Sequence, residues 1–330
     1  MKFQNILIIG DGGWGTALSI MLHRQGRKVT LWSAFPEYAA EMSRTRENRK
    51  FLPGVKLPEA IRLTGDVSDA GGDMDLVLSV VPTVYLRKCI SGLRDSVPRV
   101  PVVSCTKGIE NGTLLRPSEI LREILAPPKL AVISGPCHAE EAARGLPASY
   151  VAASEDAKFA DEVQELLNSE RFRVYTNRDV VGVELGGALK NIMAIAAGMC
   201  DGLRFGDSAK AALVSRGLVE MTRLGVALGG RRETFAGLAG LGDLLVTCYS
   251  GYSRNRSVGE KVAGGRSLQE VLSETEMSPE GVWTVRSAIA LAKKKNIEMP
   301  ITEQVHAVLF EGRAPLDAVK ELMLRPMKSE

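Results

Sequence analysis

The polar residues most able to do chemistry stand out because their surroundings are apolar. In the stretch GGALKN, Lys190 and Asn191 are the only strongly polar side chains between Glu184 and Asp201. The spacing predicts a helix over 180–199, rich in Gly and Ala. Helical side chains lean toward the N-terminus, so Lys190 points over the turn that holds Gly186 and Gly187. Those glycines leave room beside the ammonium for a small substrate, with desolvation lowering the lysine toward the proton-transfer range. The other reading is that they let helices pack closely while Lys190 snorkels outward. Two adjacent glycines cost a helix about 2 kcal/mol in propensity, and packing alone would offset that.

A second group is rich in phosphate-compatible donors. GLAGLGDLLVTCYSGYSRNRS places Gly237, Gly240 and Gly242 before Asp243, followed by a polar turn with Ser253, Arg254 and Asn255. Arginine matches phosphate with a fork of donors and Ser and Asn add neutral ones, so SRN reads either as a phosphate cradle or as an exposed basic loop with Arg256.

Near the N-terminus, Gly10-x-Gly12-x-x-Gly15 lies between an apolar β-branched run at 6–9 and a helix-like run at 16–24 closed by Gly26. A further strand at 29–32 completes a βαβ unit. In that setting Gly10 makes the tight turn, Gly12 admits a pyrophosphate and Gly15 lets helix and strand approach. The implied ligand is a dinucleotide at the helix N-terminus. The residue after the second strand is Ser33 rather than Asp or Glu, and Ala34 and Phe35 bring no arginine, so NAD and NADP both stay open.

Strands at 75–81, 102–105 and 130–133 also end in motifs: Pro82-Thr83, Thr106-Lys107-Gly108 and Ser134-Gly135-Pro136. Ligands of open α/β sheets sit outside the strands' carboxyl ends, so these motifs should line one crevice containing Lys107. Pro136 reads as the first residue of a helix over 137–144, stopped by Gly145. His138 reads as a packing or capping residue, and none of the three histidines has metal-ligand spacing. No metal is expected.

These elements imply an α/β chain: a Rossmann-like dinucleotide-binding domain over 1–178 followed by an all-α domain over 179–330. Its 330 residues suit two domains. The net charge of +3, with no basic stripe interleaved with aromatics, argues against nucleic acid as a partner. The five cysteines are widely spaced without CxxC, which suits a reducing cytoplasm rather than a disulfide framework. There is no signal-peptide pattern, and the apolar runs read as shorter than the ~20 residues that span a bilayer, so no membrane association is expected. A homodimer is left open.

In order and spacing, GDGGWGTAL (10–18), VVPT (80–83), TKGIE (106–110), ISGPCHAEE (133–141), GVELGGALKNIMAIAAGMCDGL (182–203), GLAGLGDL (237–244), SRNR (253–256) and EMPITE (298–303) together resemble the bacterial-type NAD(P)-dependent glycerol-3-phosphate dehydrogenases. The resemblance covers nearly the whole chain. It implies interconversion of dihydroxyacetone phosphate and sn-glycerol 3-phosphate for phospholipid synthesis. It also implies that Lys190 is the general acid/base oriented by Asp243, that Lys107 touches substrate and cofactor, and that Ser253, Arg254 and Asn255 hold the phosphate. Gly135 and Cys137 would lie by the substrate; Gly13, Trp14, Ala34, Ala139, Arg254 and Glu280 would lie by the cofactor. Cys137 departs from the usual Ser or Thr, exchanging a good hydroxyl donor for a weak thiol. TKG, GLGD and SRN argue against the rival 6-phosphogluconate or hydroxyacid dehydrogenases, and retention of Lys190, Asp243 and Lys107 argues against a non-catalytic dinucleotide sensor.

Overall fold

The computed structural model describes residues 2–66, 68–71, 73–275 and 278–327. The first half alternates strands and helices: β1 (Asn5–Ile9), α1 (Gly13–Arg24), β2 (Lys28–Trp32), α2 (Pro36–Thr45), β3 (Arg62–Thr64), β4 (Leu76–Ser79), α3 (Thr83–Leu93), β5 (Val102–Ser104), α4 (Pro117–Leu125), β6 (Leu130–Ser134), α5 (Ala139–Arg144), β7 (Ala148–Ala153), α6 (Ala157–Leu167) and β8 (Phe172–Asn177). The sheet order is β3-β2-β1-β4-β5-β6-β7-β8. The first six are parallel, β7 runs antiparallel to β6, and β8 is parallel to β7. Chain order reverses beside β1, which opens a crevice at the carboxyl edge.

The strands are short apolar runs because both faces are covered. On β1, Ile6 and Ile8 pack with Ala17, Leu18 and Met21 of α1 and Phe159 of α6, whereas Leu7 and Ile9 pack with Leu86 and Ile90 of α3 and Ile120 of α4. One difference from the sequence expectation lies after β6: α5 starts at Ala139 with His138 as its N-cap, so Pro136 is not the first helical residue. Gly135 has φ +148 and its carbonyl accepts from Lys107 Nζ at 3.3 Å, so the segment before α5 faces the crevice instead of winding into a helix.

The second half is helical: α7 (Val180–Gly202), α8 (Gly206–Ala227), α9 (Arg232–Ala236), a π-helical turn at Leu238–Gly242, α10 (Asp243–Tyr249), α11 (Arg254–Ala263), α12 (Leu268–Ser273), α13 (Glu280–Lys295), α14 (Pro300–Phe310) and α15 (Pro315–Met323). The axis is α7. At 23 residues it is long and apolar enough to cross a membrane, contrary to the sequence expectation, yet 94% of its 18-residue apolar stretch is buried inside the protein. Its Val180 and Val183 pack on Val132 of β6 and Val151 of β7. Its buried Glu184 accepts from Arg116 Nη1 at 2.6 Å and from Ser118 N at 2.8 Å at the start of α4, fastening α7 to the sheet half.

Glycine sets how closely α7 and α11 approach. A Cβ at Gly198 would lie 1.9 Å from Arg256 O, and one at Gly259 would lie 1.9 Å from Ile195 O. We expect Gly198→Ala to destabilise the protein by about 2–3 kcal/mol in urea denaturation, the overpacking range. Gly92→Ala on α3, where a Cβ meets nothing within 4 Å, should be neutral or stabilising by up to about 1 kcal/mol. Equal effects at the two sites would refute the packing argument.

Candidate active site

The glycine loop after β1 has the shape a dinucleotide requires. Gly10 has φ +113, and a Cβ there would lie 2.9 Å from Val80 O. A Cβ at Gly15 would lie 1.9 Å from Gly10 O, so only glycine lets α1 sit this close to the turn. By contrast, a Cβ at Gly12 meets nothing within 4 Å, and Gly12 caps α1 without a side-chain hydrogen bond. The first N–H groups of α1 have no side-chain cap, and the open space over Gly12 suits the approach of a pyrophosphate. Gly13 is packed against Phe51 O and Ala139 Cβ, and Trp14 lies 5.4 Å from the Tyr150 ring. Beyond β2, Ala34 is exposed and apolar.

The carboxyl edge of the sheet meets the helical half at one fully buried carboxylate. Asp243 opens α10 directly after the π-helical turn. Its Oδ1 accepts from Lys190 Nζ at 2.6 Å, and its Oδ2 accepts from Lys107 Nζ at 2.5 Å and Ser134 Oγ at 3.5 Å. Lys190 Nζ also donates to Thr247 Oγ1 at 2.5 Å, and Thr247 Oγ1 donates to Asp243 O at 2.6 Å. Burial pushes the Asp243 carboxyl up, but the two ammoniums outweigh it and hold it below its ordinary value. Burial lowers Lys190 to about 8; Lys107 adds to the shift and Asp243 opposes it. The result is a lysine that exchanges its proton near neutral pH.

Neither sequence reading of Gly186 and Gly187 holds whole. The space over them is filled: a Cβ at Gly186 would lie 2.5 Å from Ala239 O of the π-helical turn, and one at Gly187 would lie 2.6 Å from Ser134 Oγ. The glycines serve close packing, but Lys190 is 6% exposed and points inward to Asp243 rather than snorkelling.

The SRN turn forms the N-terminus of α11. Ser253 caps it, accepting from Arg256 N at 3.2 Å, which leaves its hydroxyl proton free to donate elsewhere. Arg254 is exposed, and its Nη1 donates to Ser278 O at 3.3 Å. Asn255 is committed differently from the sequence expectation. Its Nδ2 donates to Asn191 Oδ1 and its Oδ1 accepts from Gly281 N, both at 2.9 Å, so its side chain joins α7 to α13. What Asn255 offers an anion is its backbone N–H in the first turn of α11. Glu280, at the start of α13, reaches across to the other half and accepts from Thr83 N at 3.0 Å. Its Oε2 is buried without a hydrogen-bond partner among the described residues, and burial pushes the carboxyl up to about 7.

Around this cluster, Cys137 Sγ donates to His138 O at 3.3 Å, and burial raises the thiol to about 11, so it stays protonated at neutral pH. His138 packs on the Tyr252 ring at 5.7 Å, and burial with the nearby lysines lowers it to about 4, which makes it a neutral imidazole. Sequence reasoning missed the parts of Thr247 and Ser134 in this cluster. Thr247 carried a usable signal, standing four residues after Asp243 on one helix face; Ser134 lay inside a motif already noted.

The family descriptions "NAD-dependent glycerol-3-phosphate dehydrogenase N-terminus" and "NAD-dependent glycerol-3-phosphate dehydrogenase C-terminus" match residues 5–160 and 179–320. Glycerol-3-phosphate dehydrogenase [NAD(P)+] of Geobacter sp. (strain M21) is 50% identical over 331 residues, 99% of each chain. The Koribacter versatilis protein of the same name is 48% identical, again over 99% of each. The crystal structure of glycerol-3-phosphate dehydrogenase from Coxiella burnetii superposes with a TM-score of 0.94 at 40% identity, covering 98% of this chain and 100% of that one.

Asp243→Asn leaves two ammoniums sharing a neutral amide. We expect a loss of about 3–5 kcal/mol in urea denaturation at neutral pH, the cost of breaking a buried pair from one side. Adding Lys190→Met should recover part of it. Because the folded carboxyl sits below its ordinary value of 3.8, this contribution is present above that value and is lost as pH falls through the lower folded one.

Proposed function

Because the chain belongs to the NAD-dependent glycerol-3-phosphate dehydrogenase family, we infer that it interconverts dihydroxyacetone phosphate and sn-glycerol 3-phosphate with NAD(H) or NADP(H), and that Lys190 moves the proton. The observation that carries the assignment to Lys190 is its burial on Asp243 beside Lys107, at the edge of the sheet where ligands of this fold bind. The nicotinamide, when bound, supplies or takes the hydride at C2. In reduction, the Lys190 ammonium donates its proton to the C2 oxygen as negative charge develops there. In oxidation, neutral Lys190 takes the C2 hydroxyl proton.

Asp243 and Thr247 hold the lysine in place, so it need not reorganise during the step. Lys107 is a second cation for the developing oxyanion and also keeps Lys190 acidic. Ser253 Oγ, the Arg254 guanidinium and the first-turn N–H groups of α11 take the substrate phosphate. Glu280, Trp14 and the glycine loop border the coenzyme. The product is a phosphorylated glycerol, and we assign the enzyme to glycerophospholipid supply in the cytoplasm, acting as a homodimer.

The primary test follows nicotinamide absorbance with dihydroxyacetone phosphate present and absent; no ketone-dependent oxidation from folded, dinucleotide-binding protein overturns the reading. Since Lys190 must be charged to reduce and neutral to oxidise, kcat/KM for reduction should fall as pH rises through about 8, and that for oxidation should rise over the same range. Profiles that move together would remove Lys190 from the proton step. Lys190→Ala should lower kcat by about 10²–10⁴ while NADH still binds. Arg254→Ala should chiefly raise the KM for the ketone phosphate, and an unaltered KM would argue against the α11 phosphate site.

A further inference from the structure

Many NAD enzymes of this fold read the adenosine ribose with a carboxylate at the end of the second strand. Here that position is Ser33, fully buried and held by its N–H to Thr64 O at 2.9 Å. A carboxylate is present all the same, supplied by the adjacent strand. Asp11 follows Gly10 at the end of β1, and its Oδ2 accepts from Ser33 Oγ at 2.7 Å. Gly10 N donates to Trp32 O at 3.0 Å, which locks the ends of β1 and β2 together.

We propose that Asp11, presented through Ser33, is the acidic residue that reads the ribose diol of the coenzyme and makes this chain select NAD(H) over NADP(H). The inference rests on the dinucleotide-dependent dehydrogenase reading. It narrows the coenzyme from two to one.

The backbone that carries the carboxylate is fixed in position. Asp11 O accepts from Asn48 Nδ2 at 2.7 Å, and the same nitrogen donates to Thr16 Oγ1 at 2.7 Å. Asn48 is itself fully buried. The other carboxylate oxygen, Oδ1, accepts no hydrogen bond from another residue among those described, and Asp11 keeps 7% exposure. Asp11 thus combines a side-chain contact to the residue at the ribose-reading position with a spare acceptor, beside the strand where chain order reverses. Burial raises its carboxyl above the ordinary value, and the Ser33 hydroxyl, its own amide and Lys50 offset only part of that rise.

The chemistry discriminates in one direction. A ribose diol brings two O–H donors that a carboxylate can accept. A 2′-phosphate brings like charge and no donor at that carbon, which costs most where water is excluded. Ala34 and Phe35 contribute no cation to compensate. Exposed Lys50, whose charge reaches Asp11, is the residue a 2′-phosphate would recruit if the selection ran the other way.

The test measures dissociation constants by isothermal titration for NADH and NADPH, and for ADP-ribose and its 2′-phosphate, without turnover. Wild-type protein should bind the unphosphorylated member of each pair at least about tenfold more tightly, and Asp11→Asn should bring each ratio within about threefold, mainly by tightening the phosphorylated member. Tighter binding of the phosphorylated members by wild type overturns the proposal, as does an unchanged ratio in Asp11→Asn. Should Asp11→Asn fail to fold, the wild-type ratios decide alone, and their dependence on Lys50→Ala shows whether a cation reads the 2′ position instead. Binding of neither dinucleotide would refute the underlying dehydrogenase reading, an outcome distinct from binding of both without preference.

Discussion

One buried carboxylate organises the site. Asp243 sits where three separately built pieces meet: Lys107 from the end of β5, Lys190 from the middle of α7, and the π-helical turn that delivers Asp243 itself. Each ammonium takes one of its two oxygens, so two positive charges share one negative charge. Burial alone would drive Lys190 far down and Asp243 far up. Their mutual attraction holds the carboxylate ionised and leaves the lysine near 8, where it can both give and take a proton. The same contact is one of those that tie the two halves of the chain together, so the readiness of the site is coupled to how the halves meet.

That arrangement requires α7 to lie almost in contact with everything around it. Gly186 and Gly187 bring the π-helical turn and Ser134 against its backbone, and Gly198 and Gly202 do the same for α11. A helix with so many glycines is weak by its own propensity. Burial on nearly all sides compensates, and Glu184 anchors the helix to α4. Asn191, one residue after Lys190, passes the position on to α11 and α13 through Asn255, so the N-terminus of α11 is set by the helix that carries the lysine.

Coenzyme and substrate regions are joined by a second cross-contact, Glu280 on the backbone of Thr83. Its buried oxygen, unpartnered among the described residues, and its raised pKa place a protonatable group between the carboxyl edge of the sheet and the helical half. With Asp11 and Ser33 at the far end of the crevice, the charged groups divide into separate tasks. In the proposed reaction the lysines and Asp243 act on the carbonyl, α11 on the phosphate, and Asp11 on the ribose.

The sequence by itself determined what depends on neighbours along the chain. The β1-α1-β2 unit was legible because periodicity, the three glycines and the flanking residues all act within about 25 residues. The long helix carrying Lys190 was legible for the same reason, and so was the set of motifs at strand ends. Only the tertiary structure decided where side chains went. That Lys190 turns inward, that Gly186 and Gly187 are filled rather than open, that Asn255 spends its side chain on Asn191 and Gly281, and that Asp11 accepts from Ser33 all depend on groups from distant segments arriving within 3 Å. A hydrogen bond or buried charge is settled by whichever group reaches it first in space, and a single chain read end to end carries no measure of that distance.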